Sequence, residues 1–297
     1  MIDKEEGRTS FDIVKGIKRI TGIKKVGHAG TLDPFATGLL VVLLGQGTRL
    51  SSCLMAGRKR YLATIRLGME TDTLDPTGKV VRETGIPELD RKTLSGSLDE
   101  FRGEIRQRPP AYSAINVKGQ RAYSLARKGV EVKLEERQVT IYSLEPVELN
   151  LPEIKISVTC SPGTYIRSLA SDIGNRLGTV AHLSELRRTS SGVFGVDDAL
   201  NWKDIGSFTG EDLKRRIIPM KDALPEMHEI PVDDSMGRKI RNGYRPSPED
   251  LQKLSVFPDD FSGAVKVVNN SSLVAVIEVE RLQDFNSGCL KKMRVFN

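Results

Sequence analysis

Residues 153–160, EIKISVTC, alternate apolar and polar side chains with the period of a half-buried strand. Beyond the turn residues SPG the period becomes helical. In YIRSLASDIGNRLG, Ile166, Leu169, Ala170, Ile173 and Leu177 fall on one stripe, and Gly178 supplies the stop. The chain is therefore expected to set helices against strands rather than to build from one element type. The same signals recur upstream. Thr9-x-x-Asp12 is a capping signature for a helix with Ile13, Val14, Ile17 and Ile20 on its apolar face and Gly22 at its end. LLVVLLG, 39–45, reads as one short buried strand, and RKRYLATIRLGM, 58–69, alternates after Tyr61.

A length of 297 residues exceeds one typical domain, and the character changes near Glu229. AVKVVNN and SSLVAVIEVERL read as a hairpin turning around Asn269 to Ser272, with a short helical segment expected near PSPEDLQKL. The expected division is a domain over 1–228 and a small β-rich module over 229–297. Charge divides in the same way. The tail carries ten Lys or Arg against ten Asp or Glu, whereas the first 228 residues carry 35 against 29, the whole net charge of +6. From Arg102 to Lys133 there are eight basic residues and two acidic ones. Such a local bias suggests a polyanionic partner, although a solvated basic face has the same composition. Residues 107–130, QRPPAYSAINVKGQRAYSLARKGV, have the composition of a binding loop with a short helix.

Several classes are disfavoured. The longest apolar run, Leu39 to Leu44, is too short to cross a bilayer, and no early run has the flanks of a signal peptide, so a soluble cytoplasmic protein is expected. Cys53, Cys160 and Cys289 are widely spaced, and the histidines are His28, His182 and His228, which resembles neither a zinc site nor a disulfide framework. GQGTRLSSCL fails as a nucleotide loop because Leu50 stands at the third glycine position and no Walker lysine follows.

Two charges stand out. GHAGTLDPFATGLL, 27–40, sets Asp33 in a glycine-rich loop, which an ordinary Asp-Pro turn would also explain. Arg167 sits at the start of its helix, where the positive end of the dipole disfavours a cation. A guanidinium can hold a carboxylate through two hydrogen bonds and favour its ionised form. Tyr61 follows Arg58, Lys59 and Arg60, and Tyr165 precedes Arg167 by two residues; tyrosine in such places serves either core packing or stacking on an extruded base.

Together these stretches resemble the TruB-type tRNA pseudouridine synthases. The resemblance runs through IDKEEGRTSFDIV, GHAGTLDPFATGLL, RKRY, PPAYSAINVKGQRAYSLAR, SPGTYIRSLASDIGNRLG and HLSELRRTSSG, in the family's order over about residues 2–195. The tail is similar to the PUA-type RNA-binding module of bacterial members. The resemblance implies an α/β fold of the α+β type, with a mixed, mainly antiparallel sheet. It implies Asp33 as catalytic aspartate, Tyr61 as the residue stacked on the target base, Arg167 as the partner of Asp33, and His28, Tyr165 and Leu186 as substrate-pocket positions. Lys59, Lys118, Arg121, Arg127 and Lys128 are the expected RNA contacts. The implied reaction is isomerisation of uridine 55 in the tRNA T arm by a monomer, without cofactor, metal or membrane. A non-catalytic RNA binder and a metal-dependent nuclease are the rival readings. The chain departs from the family where Lys4-Glu5 replaces Lys-Pro, where Asn116 replaces a lysine, and where the strand before IDK is nearly absent, so either a shortened first strand or a mis-assigned start is expected.

Overall fold

The computed structural model describes residues 1–297 except 118, 131, 133, 248–249, 251–252, 255–261 and 280–289. The chain forms two compact units, one of residues 1–43 and 51–207, the other of residues 44–50 and 208–297.

In the first unit, β1 (Ile2–Lys4), the expected short first strand, leads to α1 (Ser10–Thr21). The Thr9 hydroxyl accepts from Asp12 N–H and Asp12 answers to Thr9 N–H, while Gly22 ends the helix in the left-handed region at φ 70°. Both signals act within one helical turn, which is why the sequence alone located them. β2 (Thr37–Leu40) is followed by a separate strand, Val42–Leu44, so the single strand expected over LLVVLLG is broken at Val41. There the Val41 carbonyl accepts from Ala29 N–H. Apart from short two-stranded ribbons, the main sheet is completed by β3 (Lys59–Leu67), β4 (Gly103–Gln107), β5 (Arg137–Asn150), β6 (Glu153–Cys160), β7 (Ala181–Ser191) and β8 (Leu200–Asn201), with α2 (Ile166–Arg176) between β6 and β7 and the brief strand Phe194–Gly195 paired to β7.

The sheet runs β8-β1-β2-β7-β3-β6-β5-β4. It is mixed and mainly antiparallel; β8 with β1 and β2 with β7 are the parallel pairs. Ile154, Ile156, Val158 and Cys160 of β6 and Ala63, Ile65 and Leu67 of β3 line one face. Against it pack Leu169, Ala170 and Ile173 of α2 and Leu94 and Leu98 of the helix Arg91–Asp99. Full burial of each large apolar side chain contributes about 1.5–3 kcal/mol. That packing anchors the helix whose first turn carries Arg167.

The second unit holds β9 (His228–Pro231), α3 (Asp234–Arg241), β10 (Gly263–Asn269), β11 (Ser272–Val279) and β12 (Leu290–Val295), with the strands in that order in one sheet. β10 and β11 are the expected hairpin, with Asn270 at φ 53° in its turn. The helical segment expected near PSPEDLQKL lies partly outside the described residues, and of those described Asp250, Lys253 and Leu254 are helical. Residues 208–228, expected in the first domain, belong to this unit: Lys266 Nζ on β10 donates to the Lys221 carbonyl at 3.3 Å. The GQGTRL segment, which failed as a nucleotide loop, is a short 3-10 helix of the same unit. Gln46 there grips Asn297 through both backbone groups. Among the described residues no helix is long and apolar enough to cross a membrane.

Candidate active site

The Asp33 loop is fastened on several sides. The Ser10 hydroxyl, at the start of α1, accepts from Leu32 N–H at 2.9 Å and donates to the Leu32 carbonyl. Lys4 Nζ, fully buried, donates to the carbonyls of Glu5, Arg8 and Pro34. Gly7 N–H reaches the same Pro34 carbonyl at 2.8 Å. Arg188 of β7, also buried, donates to the carbonyls of Gly30, Thr31 and Leu39, clasping the loop before and after Asp33. The glycines have a steric cause. Gly38 has φ 99°, and a Cβ there would lie 2.3 Å from the Arg188 carbonyl oxygen.

Arg167 joins distant parts of the chain. Its Nε lies 3.0 Å from Asp33 Oδ2, and its Nη1 lies 3.2 Å from Asp75 Oδ2 and from the Thr73 carbonyl. Its Nη2 donates to the Tyr112 carbonyl at 2.9 Å. One guanidinium thus serves two carboxylates, and these differ. Asp75 Oδ1 accepts from Thr73 Oγ1, Thr77 N–H and Thr77 Oγ1, and its side chain is 7% exposed. Asp33 keeps 35% of its side chain accessible. Asp75 is a fixed counter-charge, and Asp33 is the carboxylate that a ligand can reach.

Burial is the largest influence on the Asp33 carboxyl and raises its pKa; Arg167 opposes this, Asp75 adds to it and Lys4 opposes it. The net direction is upward, so Arg167 offsets part of the cost of the buried charge rather than all of it. Burial lowers Lys4 to about 8 against the pull of Asp33, Glu6 and Glu5. Tyr61 shares a sheet face with Val158 and Arg188, its partners in register. Burial raises its phenol, while the positive charge of Arg188 pulls the other way. The site therefore assembles an accessible carboxylate, a buried arginine and an aromatic ring in partly desolvated surroundings.

Residues 18–166 match the family described as TruB family pseudouridylate synthase (N terminal domain). Residues 167–225 match the tRNA pseudouridylate synthase B C-terminal domain. The chain belongs to the TruB family of pseudouridylate synthases. It is 45% identical over 242 residues to tRNA pseudouridine synthase B of Clostridium tetani, covering 82% of this chain and 83% of that protein. It is 38% identical over 305 residues to the protein of that name from Syntrophus aciditrophicus, covering 100% and 97%. Among solved structures, a Cbf5-Nop10-Gar1 complex matches with a TM-score of 0.72 at 26% identity, over 100% of this chain and 83% of that one. An H/ACA RNP bound to a substrate RNA containing 2'-deoxyuridine matches at 0.70 and 25%, over 100% and 84%.

In this TruB-family synthase the other expected site residues fall as follows. His28 is half-buried at the start of the Asp33 loop; burial and then Arg188 lower its pKa and favour the neutral ring, while the Gly30 backbone acts the other way. Tyr165 caps the start of α2, and Leu186 lies buried in the core opposite Ala63 of β3. Lys59, expected at the RNA-facing surface, is instead buried and donates to the carbonyls of Met55 and Gly57, with its pKa lowered to about 8. The cause is the strand period: Lys59 is two residues from Tyr61 and so faces the same way. Arg121, Arg127 and Lys128 are exposed; Arg121 donates to the Ala114 carbonyl and Arg127 lies over the Tyr123 ring. Lys118 lies outside the described residues.

Sequence reasoning missed Asp75, Arg188 and Gln107. One signal was present for Asp75. The tetrapeptide Thr-Leu-Asp-Pro occurs twice, at 31–34 and 73–76, and the aspartates of both copies meet on Arg167. Leu74 in the second copy has φ 59°, strain of about 1–3 kcal/mol for a side chain of its size, and its carbonyl is held by Leu183 N–H.

Proposed function

We propose that Asp33 is the catalytic carboxylate of a tRNA pseudouridine synthase that isomerises uridine 55 in the T loop. Family membership carries the reaction class. The assignment to Asp33 rests on the asymmetry of the two carboxylates on Arg167, of which Asp33 is the accessible one.

The chemistry needs no redox partner. The bond from N1 of the base to C1' of the sugar breaks, the base turns, and C5 bonds to C1'; C5 loses its proton and N1 takes one from solvent. A base inside a folded T loop cannot present its glycosidic bond, so it must be extruded at a cost of a few kcal/mol. Stacking on the Tyr61 ring offsets about 1–3 kcal/mol of this. Arg167 keeps the carboxylate ionisable and directed once the base excludes water. Asp33 then attacks the sugar or the base, or removes a sugar proton; all three routes need the same accessible, ionised oxygen. His28, Tyr165 and Leu186 shape the pocket. Arg121, Arg127 and Lys128 contact RNA phosphates, and Lys118 is assigned the same role. The β-rich part of the second unit, residues 229–297, serves as a PUA-like RNA-binding module. The protein acts as a cytoplasmic monomer without metal.

The test is tritium release from 5-tritiated uridine in a T-arm RNA, beside a filter-binding titration. Wild-type protein releases the label because C5 loses its hydrogen on forming the new bond. Asp33→Asn binds RNA and releases none, since an amide is neither nucleophile nor effective base. Release by Asp33→Asn at the wild-type rate would refute the assignment, and a wild type that binds without release would favour the non-catalytic binder.

A further inference from the structure

Arg167 occupies a position that local physics opposes. It is a buried cation in the first turn of a helix whose cap residue, Tyr165, provides no side-chain hydrogen bond. Something other than a cap must hold that turn. The side chain of Gln107, buried at the end of β4, does so by bonding the Tyr165 backbone from both sides. Its Nε2 donates to the Tyr165 carbonyl at 3.0 Å, and its Oε1 accepts from Tyr165 N–H at 2.8 Å. A primary amide is the neutral side chain that donates and accepts in one plane, and so mimics a strand neighbour. Beside it the Ser168 hydroxyl donates to the Arg108 carbonyl at 2.8 Å, and Arg167 itself reaches the Tyr112 carbonyl. The root of the basic stretch and the start of α2 are thus one hydrogen-bonded unit.

We propose that Gln107 is a positioning residue for the isomerisation: its two-way bond to Tyr165 fixes the first turn of α2, and through it the direction of Arg167 and of the Tyr165 ring. The inference rests on the role assigned above to Asp33 and Arg167. Without that bond the uncapped turn relaxes, the Arg167–Asp33 geometry loosens, and the chemical step slows while RNA binding elsewhere persists. A displacement of about 1 Å at such a pair costs on the order of 10²-fold in rate.

The experiment compares Gln107→Glu and Gln107→Met in the full chain by single-turnover tritium release, filter binding and thermal melting, from about pH 8 down to about pH 6, a range chosen because burial beside a carbonyl raises a glutamic acid's pKa. The introduced carboxylate, when ionised, accepts from Tyr165 N–H but repels its carbonyl, whereas the protonated acid restores the donor. Charged groups on neighbouring elements are Arg108 with its partner Glu136, Arg137 across the strand pair, and Asp172 on α2, whose pKa is raised by burial and then by Glu136. Rates are therefore read as ratios to wild type at each pH, which removes the contribution of these groups. The expected result is a Gln107→Glu ratio of about 10⁻² at the alkaline end, rising as pH falls, with RNA affinity unchanged, and a Gln107→Met ratio that stays low at every pH. Wild-type rates in both variants, a flat Gln107→Glu ratio, or a loss that follows the unfolded fraction would each overturn it. If Gln107→Met does not fold, the Gln107→Glu ratio alone decides. Failure of the Asp33 assignment is read separately, as release by Asp33→Asn in the same assay.

Discussion

The first unit buries Lys4, Lys59, Asp75, Arg167 and Arg188, whereas the second unit lines its sheet with Ile230, Val232, Val265, Val267, Val274, Ile277 and Val279. Among its described residues Lys266 is the buried charged side chain, and it is paired with Glu229 at 3.2 Å. Removing an ion from water costs several kcal/mol even after relaxation, so packing alone would not gather five such groups in one unit. In the first unit the cations are met by carbonyls, three for Lys4, two for Lys59 and three for Arg188, and the loops supplying them are thereby fixed. Buried charge there acts as scaffolding for the accessible Asp33 carboxylate. In the second unit apolar burial supplies stability and leaves the chemistry elsewhere.

The contrast is tested most severely at Asp33. Asp33→Asn is expected to reduce tritium release to background, yet to melt no lower than wild type at neutral pH. The sign follows from the raised pKa: above its folded pKa the ionised carboxyl costs stability, and the cost fades as pH falls through that value toward the unfolded one. Calorimetry across that range would show the two proteins converging in acid. A clear loss of stability at neutral pH would mean that Asp33 is structural. The acid limb of the wild-type rate profile should likewise lie above the ordinary Asp range.

Asp75→Asn comes next. It removes one of two counter-charges on Arg167 and also a charge that raises the Asp33 pKa, so the acid limb should move to lower pH while the rate falls by about tenfold or more. An acid limb that stays in place would show that the two carboxylates do not communicate.

A smaller effect is expected from neutralising Arg121, Arg127 and Lys128 together. Affinity for tRNA should weaken and its salt slope flatten by about one for each cation–phosphate pair removed, with the rate at saturating RNA unchanged. The slight effect is Ile277→Val in the second unit, which should cost about 0.5–1.5 kcal/mol in denaturant titrations and leave release from a T-arm RNA alone. If that substitution slowed chemistry as much as Asp75→Asn, the contrast between the units would collapse.

What the sequence determined by itself was local. The Thr9–Asp12 cap, the Gly22 stop, the α2 stripe and the alternation of β6 each rest on neighbours within a turn or two, and the structure has all of them. The oddity of Arg167 was legible for the same reason, since a helix dipole is a local field. Resemblance to a family added the meaning of Asp33, Tyr61 and Arg167. Tertiary structure alone decided which groups meet. Asp75 lies 92 residues from Arg167, and Gln107 lies 58 from Tyr165. Those meetings follow from sheet order and register, which no short window encodes. The same holds for direction: period two turns Lys59 inward with Tyr61, and the pairing of β7 with β2 and β3 turns Arg188 onto the carbonyls behind Asp33. A charge written in a sequence has no sign of use until register fixes which face it occupies, because burial is what converts it from a solvated side chain into a clamp.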